Sequence, residues 1–182
     1  MTHPEEWTYH IPEGMTTMEG ALVEPAAVGM HAAVLGGAQP GKSIVILGGG
    51  TIGLMVLQAC ISLGATDITV VDVIEKRLEL AKKLGAARVI NGKEEDTVAV
   101  LRSEEMYGDH GVDLVFEAAG AVFTAQQAVQ IVSRGGKIMM VGTQSKPVPI
   151  DFLKINREVT IQTSFRYCNI PADDRSDLIR KI

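Results

Sequence analysis

Three glycines, Gly48, Gly50 and Gly53, stand at the spacing G-x-G-x-x-G in the passage Ser43-Ile-Val-Ile-Leu-Gly48-Gly-Gly50-Thr51-Ile52-Gly53. An apolar run precedes them and a helical pattern follows. In that setting the first glycine turns the chain tightly from strand into helix, the second lets backbone approach a diphosphate, and the third lets helix and strand pack closely. The helix mouth, with Thr51 and Ile52 in its first turn, offers unpaired N–H groups and a positive dipole end to phosphate oxygens. The next apolar run, Ile68-Thr-Val-Val-Asp72, ends on a carboxylate 19 residues after Gly53, where a side chain meets a ribose. A carboxylate accepts from both hydroxyls of a ribose diol and repels a 2′-phosphate. Its neighbour is Val73, not an Arg that could hold such a phosphate. The pair of features therefore reads as a site for NAD(H) in preference to NADP(H). Arg77 opens the following helix and can flank the ribose or adenine. The plainer alternative for Asp72 is a helix cap ahead of Glu75.

Such residues need a frame. From 43 to 165 short apolar runs alternate with amphipathic stretches. The runs 43–47, 67–72, 88–91, 112–117, 137–142 and 158–165 are dense in Val and Ile, as strands are when helices cover both faces. Helical stretches fall at 51–63, 75–84, 96–106 and 123–132, and Gly64 and Gly85 follow two helix ends as left-handed caps. Strand and helix alternating in this way predict an α/β fold: a doubly wound, parallel, six-stranded Rossmann sheet with helices on both faces. Two further loops, Glu117-Ala-Ala-Gly120 and Val141-Gly142-Thr143, fall at the sheet's carboxyl edge and are marked by small residues. A ligand lying there needs them, although ordinary turn chemistry explains Gly120 equally well.

The 182 residues are 46% hydrophobic and 21% charged, enough for one full core, and carry 19 glycines against 4% aromatics. A net charge of −5 without any Lys/Arg run excludes nucleic acid as a partner. Cys60 and Cys168 lie too far apart for a zinc motif and read as reduced, packed thiols. No secretory leader and no membrane-length apolar run stand in the sequence, so the expected location is cytoplasmic. Met139-Met140 reads as sheet core. Pro4, Pro12, Gly14, Pro25, Gly36, Gly37 and Pro40 break the first forty residues, leaving one helix near 20–35. A last helix starts at Ala172 behind Asp173 and Asp174. The expected division is 1–35 as the remnant of another domain with a linking helix, 36–171 as the dinucleotide domain, and 172–182 as the start of a helix.

With those residues in view, the chain resembles the zinc-dependent medium-chain dehydrogenases, in particular their sorbitol and xylitol (polyol) dehydrogenase branch. Four stretches carry the likeness: Gly20-Ala-Leu-Val-Glu24-Pro25-Ala-Ala-Val-Gly-Met-His31-Ala, the phosphate loop with Asp72, Ser133-Arg-Gly-Gly-Lys137 running into Val141-Gly142, and Arg157-Glu-Val ending in Phe165-Arg166-Tyr167-Cys168-Asn169. The resemblance implies oxidation of a polyol's secondary alcohol to a ketone with hydride passing to NAD, a catalytic zinc lowering the alcohol's pKa. It places Glu24 beside that zinc, in direct contact or through water. It sets Arg166 and Tyr167 on substrate hydroxyls, and Phe165 and Arg166 at the nicotinamide end. Ile52, Asp72, Arg77, Val141, Gly142 and Thr143 then line the cofactor. The family's main zinc ligands, a Cys and a His-Glu pair, have no counterparts here, and His3, His10, His31 and His110 show no ligand spacing. The chain is therefore expected to bind NAD, to hold no zinc and not to turn over polyols unaided. The strand at 158–165 resembles the one that pairs subunits in this family, so a homodimer or higher oligomer through the sheet edge is expected. The alternative is a stand-alone dinucleotide-binding regulatory module, which has no need of Glu24-Pro25 or Phe165-Arg166-Tyr167. A methyltransferase is disfavoured, because its ligand has no pyrophosphate to set on the glycine loop.

Overall fold

The structure, a computed structural model, describes residues 8–155 and 157–167. His3, Trp7, Cys168 and the helix expected from Ala172 lie outside the described residues. Six strands form one parallel sheet: β1 Ser43–Leu47, β2 Asp67–Asp72, β3 Arg88–Asn91, β4 Val112–Glu117, β5 Val132–Met140 and β6 Thr160–Thr163, in the order β3-β2-β1-β4-β5-β6. This is the doubly wound order, and it reverses between β1 and β4, where a ligand crevice opens at the carboxyl ends. Among the described residues five helices accompany the sheet: α1 Thr17–Gly36, α2 Thr51–Ser62, α3 Glu75–Lys83, α4 Thr97–Leu101 and α5 Val122–Ile131.

Strand periodicity divides the core. Ile44 and Ile46 of β1, with Ile68, Val70, Leu114, Phe116 and Met139, face α1, α2 and α3. Val45 and Leu47, with Val71, Val115 and Ile138, face α4 and α5. Successive side chains of a strand point to opposite faces, so a run such as Ile-Val-Ile-Leu supplies both cores at once. That is why these strands read as unbroken apolar runs.

Four elements differ from their sequence pattern. Helix α1 runs straight through Pro25. Pro25 deprives the Ala21 carbonyl of its helical donor, but Ala21 is exposed to water and the later turns are anchored by buried Met30, Ala32 and Ala33. A Thr16–Glu19 capping box closes its start. Helix α4 spans only Thr97–Leu101, capped by Asp96, and just past its end the Arg102 side chain donates to the carbonyls of Gly108, Asp109, Gln130 and Val132. Strand β5 begins at Val132, which the helical pattern had taken into α5. The Gly135-Gly136 pair sits in a bulge, where the β4–β5 register jumps between Val112 and Leu114 and Gly135 takes φ +68°. Strand β6 is confined to Thr160–Thr163, with Glu158 and Arg166 on either side in left-handed conformations at φ 61° and 55°.

Candidate functional site

The phosphate loop leaves the carboxyl end of the central strand. Gly48 takes φ +110°, which a side chain tolerates poorly, and its N–H donates to the Val71 carbonyl at 2.8 Å. A Cβ at Gly48 would meet the Ala119 backbone nitrogen at 2.8 Å, so the loop after β4 presses directly on the turn. A Cβ on Gly53 would overlap the Gly48 carbonyl oxygen, and this fixes how closely the first turn of α2 returns to the strand. At Gly50 a Cβ would touch nothing within 4 Å. The backbone there faces open space at the mouth of α2, as a diphosphate cradle requires. Gly48 and Gly53 thus perform the turning and packing tasks that their spacing implies, and Gly50 leaves the backbone open at the helix mouth.

Asp72, only 8% exposed, ends β2 beside this loop. Its Oδ2 accepts from the Gly49 N–H at 2.7 Å, and its Oδ1 accepts from the N–H groups of Val73 and Ile74 at 2.8 and 2.9 Å. The second pair shapes the turn into α3, whose N-cap is Ile74. Asp72 therefore shapes the entry to that helix without capping it, while its other oxygen reaches the phosphate loop. Arg77 Nη1 stands 3.4 Å from Oδ2, with its side chain 48% exposed against 5% for Asp72. Gly48, Asp72 and Arg77 line a cleft of about 280 Å³, together with Thr97, Ala119 and Phe123. Ala119 belongs to the small-residue loop after β4, whereas Thr97 and Phe123 were not legible as site residues. Thr97 is buried at the start of α4 and Phe123 is exposed at the start of α5, so only the tertiary fold brings them to Asp72.

On the other side of the switch point, the loops after β4 and β5 interlock. Gly120, at φ +69°, leaves no room for a Cβ, which would lie 2.7 Å from the Thr143 carbonyl oxygen. A Cβ on Gly142 would overlap the Gly120 backbone nitrogen. Val141 and Gly142 both donate their N–H to the Glu117 carbonyl at 2.8 Å. Both glycines are thus demanded by the approach of one loop to the other, and the left-handed φ of Gly120 is in keeping with its turn reading. Phe165 is 79% exposed past the end of β6, with the Arg166 guanidinium 5.1 Å from its ring centre. Tyr167 is half-buried and Thr51 exposed, with Ile52 half-buried behind it. Glu24 is exposed on the first half of α1 and does not line the cleft.

Zinc fits less well than dinucleotide. Among the described residues no group of three or more His, Cys, Asp or Glu side chains could hold a metal ion, which leaves Glu24 without companion ligands. Burial pushes the Cys60 thiol up to about 12, so it is neither a nucleophile nor a ready ligand at neutral pH. Burial also lowers His31 below its ordinary value. No step through a metal follows from these side chains.

Residues 51–182 match the family model of the zinc-binding dehydrogenases. The chain belongs to that family. It is 62% identical over 169 residues to an uncharacterized zinc-type alcohol dehydrogenase-like protein, YdjJ, of Escherichia coli, covering 93% of this chain and 48% of that one. It is 39% identical to the sorbitol dehydrogenase of Bacillus subtilis, covering 91% and 47%. Among solved structures, an Escherichia coli oxidoreductase/dehydrogenase of unknown specificity involved in membrane biogenesis superposes with a TM-score of 0.88 at 58% identity, covering 98% of this chain and 50% of that one. A zinc-binding dehydrogenase of Sinorhizobium meliloti, bound to NADP, gives a TM-score of 0.82 at 30% identity, covering 94% and 51%. The chain spans about half the length of the curated relatives it matches. It is the NAD(P)-binding, Rossmann-type domain of this dehydrogenase family, and no helix among its described residues is long and apolar enough to cross a membrane.

Proposed function

We propose that this domain binds NAD(H), in preference to NADP(H), for a dehydrogenase that oxidises a secondary alcohol of a polyol to a ketone. The observation that carries the cofactor choice is Asp72, a nearly buried carboxylate whose Oδ2 lies 2.7 Å from the phosphate-loop nitrogen of Gly49. A ribose diol placed there donates to that oxygen, whereas a 2′-phosphate would stand against it. Two unit like charges about 4 Å apart repel by about 4 kcal/mol at an effective dielectric near 20. The half-exposed Arg77 offsets little of this, since an exposed ion pair contributes about 0–1 kcal/mol. The Sinorhizobium relative is bound to NADP, so family membership alone does not choose between the two dinucleotides and the preference rests on Asp72.

The polyol reading is supported by the likeness to the Bacillus sorbitol dehydrogenase and by Glu24-Pro25 and Phe165-Arg166-Tyr167, which a pure dinucleotide sensor does not need. In the oxidation NAD receives the hydride. The residues of this chain hold the diphosphate on Gly48–Gly53, grip the ribose with Asp72, and set Val141, Gly142 and Thr143 at the nicotinamide end. Arg166 and Tyr167 meet substrate hydroxyls, Phe165 borders the nicotinamide, and Glu24 would reach a zinc held by ligands outside this chain, directly or through water. The open edge of β6 offers pairing to a second copy.

The test is Asp72→Ser, followed by calorimetry with NADH and NADPH. NADH affinity should fall about tenfold or more, the loss of one charge-assisted hydrogen bond at about 1.5–3 kcal/mol, while NADPH affinity rises. An unchanged ratio between the two dinucleotides refutes the assignment.

A further inference from the structure

Glu117 is the second buried carboxylate at the carboxyl edge, and its surface is wholly inaccessible. Its Oε1 accepts from the N–H groups of Ala119 and Gly120 at 3.1 and 2.9 Å and from the Thr124 hydroxyl at 2.7 Å. Its Oε2 accepts from Gln144 Nε2 at 2.8 Å. An ionised carboxylate accepts and never donates. It therefore selects the NH2 end of the Gln144 amide and leaves the carbonyl end free. That oxygen, Gln144 Oε1, is buried and has no partner among the described residues. An unpaired buried acceptor is destabilising, so a donor from a ligand is the natural complement.

The position names the donor. With the diphosphate at Gly48–Gly53 and one ribose held at Asp72 over β2, the rest of a dinucleotide must run the other way, across β4 and β5. Gln144 directly follows the Val141–Thr143 loop on that side. The nicotinamide riboside half carries ribose O–H and carboxamide N–H donors, and the adenosine half lies at the far side of the crevice. Resting on the dinucleotide reading above, we propose that Gln144 Oε1 accepts a hydrogen bond from the nicotinamide riboside half, and that Glu117 is the positioning residue that fixes the amide for it.

A charge-exchange cycle tests this, with NADH and AMP titrated by calorimetry into each variant. Gln144→Leu removes the acceptor and should weaken NADH about tenfold, the loss of one hydrogen bond, with AMP within about twofold. Glu117→Gln keeps an acceptor for Ala119, Gly120 and Thr124, but its own NH2 now faces Gln144. The Gln144 amide must reverse and point a donor at the ligand, so NADH should weaken by a similar factor. In the double variant Glu117→Gln with Gln144→Glu, Gln at 117 donates to one oxygen of the new carboxylate and the other again accepts. NADH affinity should then return to within about threefold of wild type, a rescue that mere loop damage would not give. The pair is overturned if Gln144→Leu leaves NADH affinity unchanged, if AMP falls in parallel, or if the double variant does not recover. Wild-type chain that binds AMP and NADH while Gln144→Leu matches it sinks the pair alone. Wild-type chain that binds neither sinks the dinucleotide reading and the pair with it.

Discussion

On the β1–β2 side of the carboxyl edge, the contacts that shape the site join residues of one local motif. Gly53 closes on Gly48, Gly48 on the end of β2, and Asp72 on Gly49. On the β4–β5 side they join two loops that share no motif: Gly120 lies against Thr143, Gly142 against Gly120, and Gln144 reaches back to Glu117 across 27 positions of chain. The first half is braced by a strand end and a helix start, with backbone as the main partner. The second is held by one buried carboxylate and by two glycines that let loops touch. A perturbation should therefore break the first half outright and only loosen the second.

Gly53→Ala makes the comparison sharpest. The added methyl overlaps the Gly48 carbonyl oxygen, a backbone atom fixed at the end of the central strand, so helix α2 must shift as a body. Overpacking in a rigid place costs about 1–3 kcal/mol and occasionally more; here the upper end is expected, with dinucleotide binding lost. Urea unfolding and NADH titration measure both. Gly142→Ala also produces an overlap, with the Gly120 nitrogen. Both partners there sit in loops that can separate, so about 1 kcal/mol of stability should go. The same variant should weaken NADH while sparing AMP. If Gly142→Ala proves as damaging as Gly53→Ala, the loops are as rigid as the phosphate turn and the contrast fails.

The same contrast governs what could be read from the sequence. The strands at 43–47, 67–72, 88–91 and 112–117 were legible to the residue, because parallel strands buried on both faces leave unbroken Val/Ile runs. Gly48, Gly50, Gly53 and Asp72 were legible because their geometry depends on spacing within one βαβ unit. Glu117 gave no such signal. A glutamate ending a strand looks like any other, and only the pairing of β4 with β5 brings Gln144 to it. Val132 read as helix end because the strand resumes without any intervening loop, and the Gly135-Gly136 pair serves as a bulge within that strand. The helix expected near 20–35 spans Pro25 as the structure has it, and its earlier start at Thr17 comes from the Thr16–Glu19 capping box. Thr97 and Phe123 joined the cleft only through the placement of two helix starts on one face.

Gly50→Ala gives the smallest structural effect and separates fold from ligand on the better-defined half. At φ −72° and ψ −174° the position is extended backbone that alanine adopts freely, and the new Cβ meets nothing within 4 Å. Thermal or urea unfolding should shift by less than about 0.5 kcal/mol, the usual range for a substitution that touches no packed or polar feature. The methyl nevertheless projects into the space kept for the diphosphate, beside the N–H groups of the α2 mouth. NADH and AMP should then weaken together, NADH by about tenfold, equal to about 1.4 kcal/mol, in contrast to Gly142→Ala, which spares AMP. Unchanged affinity for both would mean that phosphate does not approach the backbone at Gly50. The open space there would then belong to the turn alone, and the glycine motif would be no more than a strand-to-helix corner.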